Sequence, residues 1–116
     1  MDWLAEFYKK QLGLQMFVQE VAYSEDLISP KNIYNSATSA VVEIGEMLQT
    51  DTRWKQYVTG SKKYPMYKPD LFKEEFADVF IYLMNVLIYA GIDIEQIKEV
   101  ITNKQHVVFK RFEYDK

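Results

Sequence analysis

The sequence contains no cysteine and a single histidine, His106, in 116 residues. It can therefore form no disulfide bond, no thiolate metal site and no histidine-rich zinc site. His106 falls on the polar side of the last helical stretch, where we expect a surface residue rather than a catalytic base. Glycine and proline are scarce as well, with four and three residues, and no glycine-rich phosphate loop is present. Thiol catalysis, zinc sites built from cysteine or from several histidines, and P-loop chemistry are thus excluded.

The chain also lacks a strong charge imbalance and a long apolar run. Its formal net charge is −3 and its pI about 5.2, which gives no overall attraction for nucleic acid or an anionic membrane. The longest apolar stretch, residues 79–92, is interrupted by Asn85 and is too short to span a bilayer comfortably. The first ten residues carry four charged side chains, unlike a signal peptide. We expect a soluble cytoplasmic protein with no membrane or nucleic-acid partner.

Helix signals recur along the whole chain. Apolar residues make up 48% of it, and no period-two strand pattern of useful length competes with the helical spacing. Four helices are predicted: residues 2–23 with a break or bend at Gly13, Ser29-Pro30 to Gln49, Pro69-Asp70 to Gly91, and a capping box at Asp93 and Gln96 to Arg111. The predicted fold class is all-α, in one domain spanning residues 1–116.

Two acidic pairs occur on the second and third of these helices. Glu43 and Glu46 are three residues apart, as are Glu75 and Asp78, so each pair presents two carboxylates on one helix face. Like charges so placed repel, and a cluster of oxygen ligands is what Mg²⁺ accepts. If the helices pack antiparallel, the four carboxylates surround one cavity and hold Mg²⁺, or Mn²⁺ in its place. The alternative is two unrelated solvated faces.

The third helix extends its acidic pair into a polar stripe. The members of the stripe are Glu75, Asp78, Tyr82, Asn85 and Tyr89, and the rest of the helix is a very wide apolar arc. The ordinary interpretation makes the stripe the solvated face of the helix. Against it, the arc is wider than packing in a small monomer needs, which favours a subunit interface or a stripe that lines a cavity.

Basic residues lie on the apolar side of the last predicted helix and in the long segment between the second and third predicted helices. Lys104 and Arg111 are seven residues apart on that helix, and they either extend to solvent, pair with acidic residues or contact substrate phosphates. Residues 52–68 contain five basic and four aromatic side chains and no acidic one. Such a segment suits a nucleotide, with cations for the phosphates and rings for the base. It is equally typical of a solvated loop whose rings cover the edge of the core.

Six residues form a pattern in this order: Glu43, Glu46, Glu75, Asp78, Lys104 and Arg111. In a helical chain this pattern resembles the all-α nucleoside triphosphate pyrophosphatase superfamily, which includes MazG-like enzymes and dimeric dUTPases. The similarity covers roughly residues 34–112. It implies a four-helix MazG-like bundle completed by oligomerisation, as a homodimer or homotetramer. It also implies Mg²⁺-dependent hydrolysis of a nucleoside triphosphate, preferably a deoxynucleotide, to the monophosphate and pyrophosphate, in control of the nucleotide pool.

The same resemblance implies a role for each candidate site residue. The metal ligands and catalytic acids would be Glu43, Glu46, Glu75 and Asp78, with the adjacent Glu74 as an alternative to Glu75. The substrate contacts would be Lys104, Arg111, Trp54, Lys55, Asn85 and Gln15. Val108 stands where family members often carry an asparagine, so one phosphate or base contact of the family pattern is in question.

Two other classes of function are compatible with the sequence. One is a non-enzymatic helical module that binds a partner through its aromatic surface, and Mg²⁺ with nucleotide would then leave its thermal stability unchanged. The other is a single-stranded nucleic-acid binder that uses the basic aromatic segment. Its binding would depend on salt and would survive loss of the carboxylates.

Overall fold

The computed structural model describes residues 2–53 and 67–114. In these ranges it contains four α-helices and no strand, which confirms the predicted all-α class. The helices are α1 (Trp3–Met16), α2 (Pro30–Gln49), α3 (Pro69–Tyr89) and α4 (Ile94–Tyr114), and a π-helical segment, Phe17–Ala22, follows α1.

The first helix changes its hydrogen-bonding pattern at Phe17, and not at Gly13 as predicted. Gly13 lies inside α1, because the cost of one glycine, about 1 kcal/mol, does not outweigh the bonds of a continuing helix. After Met16 the chain adopts the wider π pattern, in which the Tyr23 amide donates to the Val18 carbonyl at 3.1 Å. No sequence signal marks this transition, since the segment has ordinary helix-forming residues.

Helices α2 and α3 form an antiparallel pair. At one end the Ser29 amide donates to the Tyr89 carbonyl at 3.3 Å, and at the other the Lys68 amide donates to the Thr50 carbonyl at 2.8 Å. These two contacts fix the register, because the start of each helix meets the end of the other. Both helices carry proline in their first turn, where its missing amide costs no hydrogen bond.

The predicted helix stop and start between α3 and α4 are present. Gly91 has a φ of +72°, the left-handed conformation that glycine adopts at low cost after a helix. The Gln96 side chain accepts a hydrogen bond from the Asp93 amide at 3.0 Å, and the Asp93 side chain accepts one from the Gln96 amide at 3.4 Å, which is the predicted capping box. Across this turn the axis of α4 is bent by 113° from that of α3.

A small core joins α1 to the junction of α3 and α4. Met84, Ile88, Tyr89 and Ile94 are buried there. The Tyr8 hydroxyl from α1 donates to the Ile92 carbonyl at 2.6 Å. Among the described residues, α4 packs against α1 and does not touch α2.

Within the described ranges, no single helix has the length and apolar content needed to cross a membrane. The segments 69–89 and 94–112 meet such a criterion only when they are taken together across their sharp bend.

Candidate metal centre

Three carboxylates from α2 and α3 meet between the two helices. One oxygen each from Glu43, Glu75 and Asp78 lies within 4.8 Å of the other two. The register explains this meeting, because Glu43 is seven residues before Thr50 and Glu75 is seven residues after Lys68, its hydrogen-bonding partner. Asp78 follows Glu75 by three residues on the same face of α3. We call these three residues the acidic cluster.

The acidic cluster contains carboxylate oxygens that have neither solvent nor a partner. One oxygen of Glu43 and one of Glu75, both Oε2, are buried and form no hydrogen bond. The ion pairs of the described residues are Arg53–Asp51, Lys98–Asp2 and Lys98–Glu95, and none of them involves the acidic cluster. A buried carboxylate oxygen without a partner costs free energy. The arrangement therefore needs either a proton or a cation.

The Glu43 carboxyl has an affinity for protons that reflects this crowding. Its pKa is raised from 4.5 to about 7, first by burial, then by a hydrogen bond to Glu46 and the negative charge of Glu46, and further by Glu75 and Asp78. Each of these effects disfavours the charged form. Near neutral pH Glu43 is therefore protonated in part of the molecules, and this proton compensates negative charge that a bound cation would otherwise compensate.

Glu46 lies at the edge of this arrangement. Its side chain is exposed, and it lies close enough to Glu43 to help raise the pKa of that carboxyl. Its oxygens fall outside the group of three. The structure thus brings together three of the four acidic residues predicted as ligands and leaves the fourth beside them, within one helical turn.

The donor set fits Mg²⁺. All the ligand atoms are carboxylate oxygens, which Mg²⁺ prefers, and bonds of ~2.1 Å in an octahedron put neighbouring oxygens roughly 3 Å apart and opposite ones roughly 4 Å apart. The 4.8 Å limit on the three oxygens is about 1 Å wider than this range. A small side-chain movement would therefore suffice for Glu43, Glu75 and Asp78 to bind one ion, with waters completing the octahedron.

Beyond the acidic cluster, the polar stripe of α3 is covered by α1. The Gln11 side chain donates to Asn85 Oδ1 at 2.8 Å, and the Tyr89 hydroxyl donates to Gln15 Oε1. Burial raises the pKa of Tyr89, which keeps its hydroxyl protonated as a donor. Asn85 and Gln15, both predicted as substrate contacts, are buried and hydrogen-bonded within the chain.

Gln11 is the residue of this polar layer that sequence reasoning missed. It precedes Gln15 by four residues, so the two amides share one face of α1. That spacing is the signal that could have identified it. The same spacing repeats on α3, where Asn85 accepts a hydrogen bond from Gln11 and Tyr89 donates one to Gln15.

The two predicted cations of the last helix lie away from the acidic cluster. Lys104 and Arg111 are exposed, on a helix that leaves α3 at a bend of 113°. With a rise of ~1.5 Å per residue, this bend separates the backbones of Lys104 and Asp78 by roughly 15–20 Å. Within one chain, neither cation reaches the acidic cluster.

The basic aromatic connection is described only at its two ends. Trp54 and Lys55, both predicted to contact substrate, lie outside the described residues. At the ends, the Arg53 guanidinium is 3.9 Å from the centre of the Tyr67 ring and also pairs with Asp51, Nε to Oδ1, at 2.8 Å. These two side chains therefore already contact each other within the chain.

Comparison with models of known protein families, with curated proteins and with solved structures finds no match to this chain. The similarity to all-α pyrophosphatases consequently depends on the residue pattern alone.

Proposed function

We propose that the protein is a Mg²⁺-dependent nucleoside triphosphate pyrophosphohydrolase, which converts a nucleoside triphosphate and water to the monophosphate and pyrophosphate. The observation that supports this most is the pair of buried, unpartnered oxygens of Glu43 and Glu75 beside Asp78. If these carboxylates only stabilised the fold, hydrogen-bond donors would be expected beside their buried oxygens. These two oxygens have no donor, which favours a ligand that carries positive charge.

The electrostatics of the proposed reaction make the metal indispensable. A triphosphate carries about four negative charges at neutral pH, and three or four nearby carboxylates would repel it. Mg²⁺, when bound, supplies Lewis-acid stabilisation of the phosphoryl oxygens and lowers the pKa of a bound water. In the proposal, Glu43, Glu75 and Asp78 bind the Mg²⁺ ion, and Glu46 lies at the edge of the acidic cluster.

The chain's own residues would complete the chemistry by moving one proton. Water forms a bond to phosphorus, the α–β anhydride bond breaks, and pyrophosphate leaves with the electron pair of that bond. The water's proton passes to a carboxylate of the acidic cluster, and that carboxylate acts as the general base.

The test is a substrate screen. We expect that one or more of the common ribo- and deoxyribonucleoside triphosphates will yield pyrophosphate in the presence of Mg²⁺ or Mn²⁺, and none in the presence of a chelator. Pyrophosphate and orthophosphate are measured separately, with the nucleotide product identified by chromatography. Release of orthophosphate, or of neither product with any nucleotide, would contradict the proposal.

The proposed phosphate contacts of Lys104 and Arg111 require a second copy of the chain, because neither cation reaches the acidic cluster of its own chain. The proposal thus includes a homodimer or homotetramer in which these side chains act across an interface. Lysine would then serve as a point charge and arginine as a forked donor to the phosphates.

A mixing experiment tests this arrangement. We expect the Asp78→Asn and Lys104→Ala proteins to be inactive separately. When the two are co-refolded as a mixture, half of the dimers contain one chain of each kind, and one of the two sites in such a dimer is intact. The mixture should therefore recover about a quarter of wild-type turnover. The matched control mixes Asp78→Asn with Glu75→Gln, which places both lesions in the same carboxylate set and must recover nothing. Full activity of Lys104→Ala alone, or no recovery with it, would refute the shared site.

A further inference from the structure

Two side chains predicted to contact the substrate are already engaged within the chain. Gln15 and Asn85 are buried, and their oxygens accept hydrogen bonds from Tyr89 and Gln11. Those oxygens are therefore not available to a ligand. Polar surface that remains open lies one turn further along the first helical stretch, at Gln19, where the chain has entered the π-helical segment.

A polar cavity of about 250 Å³ lies there, beside the first turn of α2. Six residues line it: Gln19 of the π-helical segment, Tyr23 and Glu25 of the connection that follows, and Lys31, Asn32 and Asn35 of α2. Each of these side chains carries a hydrogen-bonding group. Binding sites place a few such groups around a concave surface, so the cavity is suited to a polar ligand. We call it the α2 cavity.

Asn32 gives the α2 cavity one acceptor of fixed orientation. Its side chain is 8% exposed, and its Nδ2 donates to the carbonyls of Asp26 at 3.4 Å and Leu27 at 3.2 Å. Because both partners are acceptors, the amide nitrogen must face them, and this sets the position of Oδ1. Among the described residues no group donates to Oδ1, and the atom is not enclosed by protein. A ligand in the cavity thus meets an acceptor without another partner.

Two opposite charges also line the α2 cavity. Glu25 and Lys31 are exposed, and neither takes part in the ion pairs of the described residues. A ligand between them can donate to the carboxylate and accept from the ammonium group. The Tyr23 ring, which is 66% exposed, adds a flat surface on which a planar ligand can stack.

The α2 cavity and the acidic cluster lie along one side of α2. Asn32 precedes Glu43 by eleven residues, and Asn35 precedes Glu46 by the same number. Eleven residues are close to three helical turns, so the two members of each pair share a face and are ~16 Å apart along the axis. This separation is similar to the length of an extended nucleoside triphosphate, whose base and terminal phosphate lie at its two ends.

The size of the α2 cavity indicates how much of such a ligand it holds. Sites that enclose a whole drug-sized molecule measure ~300–1,000 Å³. A cavity of about 250 Å³ therefore suits one ring system of a ligand whose remainder lies outside. For a nucleotide with its phosphates at the acidic cluster, that ring system is the base.

The lining groups match a base that has both an amino group and a carbonyl group. Guanine and cytosine have both, whereas uracil and thymine have no amino group and adenine has no carbonyl. Glu25 and Asn32 supply acceptors for the amino group, and Lys31 supplies a donor for the carbonyl oxygen. These three side chains reach the cavity from two different segments of the chain.

We propose that the α2 cavity binds the base of the nucleoside triphosphate and selects guanine and cytosine over the other bases. Glu25, Lys31 and Asn32 contact the edge of the base, and Tyr23 stacks on its face. The identity of the ligand as a nucleotide rests on the proposed function. The contacts themselves belong to residues that the family resemblance does not assign.

Matched nucleotide pairs test the selection in the wild-type protein. ITP differs from GTP only by the missing amino group, and UTP has a carbonyl where CTP has its amino group. Because a hydrogen bond to a charged or otherwise unpartnered acceptor is lost, we expect kcat/KM to be lower by roughly 10-fold or more for ITP than for GTP, and for UTP than for CTP. A ratio near one for either pair would overturn the inference and leave the proposed pyrophosphohydrolase activity intact.

A binding measurement separates the base site from the activity. The ¹⁵N-labelled, metal-free wild-type protein is titrated with GMP and IMP, and the side-chain amide signals of Asn32 and Asn35 are followed by NMR. We expect both signals to shift with GMP, and a roughly 10-fold higher concentration of IMP to be needed for the same shift. These shifts in a protein that hydrolyses no nucleotide would support the base site and refute the proposed function. Unchanged signals with both nucleotides would overturn the base site, whatever the turnover.

Substitution of Glu25 tests the contact with the amino group. Glu25→Ala should reduce the preference for GMP over IMP in the titration and for GTP over ITP in turnover, because it removes one of the two acceptors. Glu20→Ala is the matched control, since Glu20 is exposed and does not line the α2 cavity. A preference that is unchanged in Glu25→Ala, or reduced equally in both variants, would contradict the assigned contact.

Substitution of Tyr23 tests the stacking. Tyr23→Ala should raise the concentration of GMP needed for half of the NMR shift, and the KM for every nucleotide, by about 10-fold, because stacking stabilises any base. Tyr23→Phe keeps the ring and should restore wild-type values. The matched control is Tyr34→Ala, which removes a ring of α2 that is 70% exposed and lies outside the cavity lining. Equal effects of Tyr23→Ala and Tyr34→Ala would exclude stacking on Tyr23.

Discussion

Replacing Asp78 with asparagine or Glu75 with glutamine is expected to abolish pyrophosphate release while making the metal-free protein more resistant to heat. Loss of a ligand to a catalytic metal removes several kcal/mol of transition-state stabilisation, so we expect turnover to fall by roughly 10³-fold or more. In the absence of metal, the same substitutions remove a charge from a group of mutually repelling carboxylates and give Glu43 a neutral neighbour. Pyrophosphate assays and thermal scans in a chelator measure the two effects.

The opposite signs of these two effects separate a metal site from a structural one. A carboxylate that stabilises the fold would lower the melting temperature when it is neutralised, and a solvated one would change neither quantity. Glu74→Gln is the matched control, because Glu74 is exposed on α3 directly beside Glu75 and lies outside the acidic cluster. Unchanged turnover in both Glu75→Gln and Asp78→Asn would refute the proposed function.

Much of the fold was predictable because its helix ends are set by local chemistry. Ser29-Pro30, Gly91 and the pair Asp93 and Gln96 mark boundaries through conformational preferences that act over three or four residues. The structure places those boundaries within two residues of their predicted positions. The π-helical segment after Met16 was not predictable, since no residue in it imposes the wider hydrogen-bonding pattern.

The candidate site was predictable in part for a related reason. Helical spacing alone places Glu75 and Asp78 on one face, but the approach of Glu43 depends on the register of α2 against α3, which contacts at both ends of the pair determine. The position of Lys104 was beyond sequence reasoning. Its distance from the acidic cluster depends on the bend between α3 and α4, and a glycine turn does not specify one angle.

The metal-free protein is expected to lose thermal stability as the pH rises from 5 to 8. The pKa of Glu43 is about 7 in the folded chain and 4.5 ordinarily, so between these values the folded state binds more protons than the unfolded state. Its contribution to stability is then fully present below about pH 4.5 and is lost as the pH rises through 7. The other described groups with shifted pKa values titrate outside this window, since the pKa of Asp51 is lowered and those of Tyr8 and Tyr89 are raised from 10.

Thermal scans in a chelator at a series of pH values measure this loss. Glu43→Gln should flatten the curve between pH 5 and 8, because an amide has no proton to lose. Glu74→Gln should leave the slope of the wild-type curve unchanged, since it alters an exposed carboxylate outside the acidic cluster. A wild-type curve that rises or stays level over this range would contradict the raised affinity of Glu43 for protons.

Mg²⁺ should oppose this pH dependence, because metal and proton compete for the same oxygens. At pH 8 the carboxylates are free to bind the ion, and a free concentration of 100 times the Kd would stabilise the folded state by about 2.7 kcal/mol. At pH 5 the proton on Glu43 must first be displaced, so the same concentration should raise the melting temperature less. If the shift with Mg²⁺ is equal at both pH values, or is unchanged in Glu43→Gln, then the ion binds elsewhere and the acidic cluster is not its site.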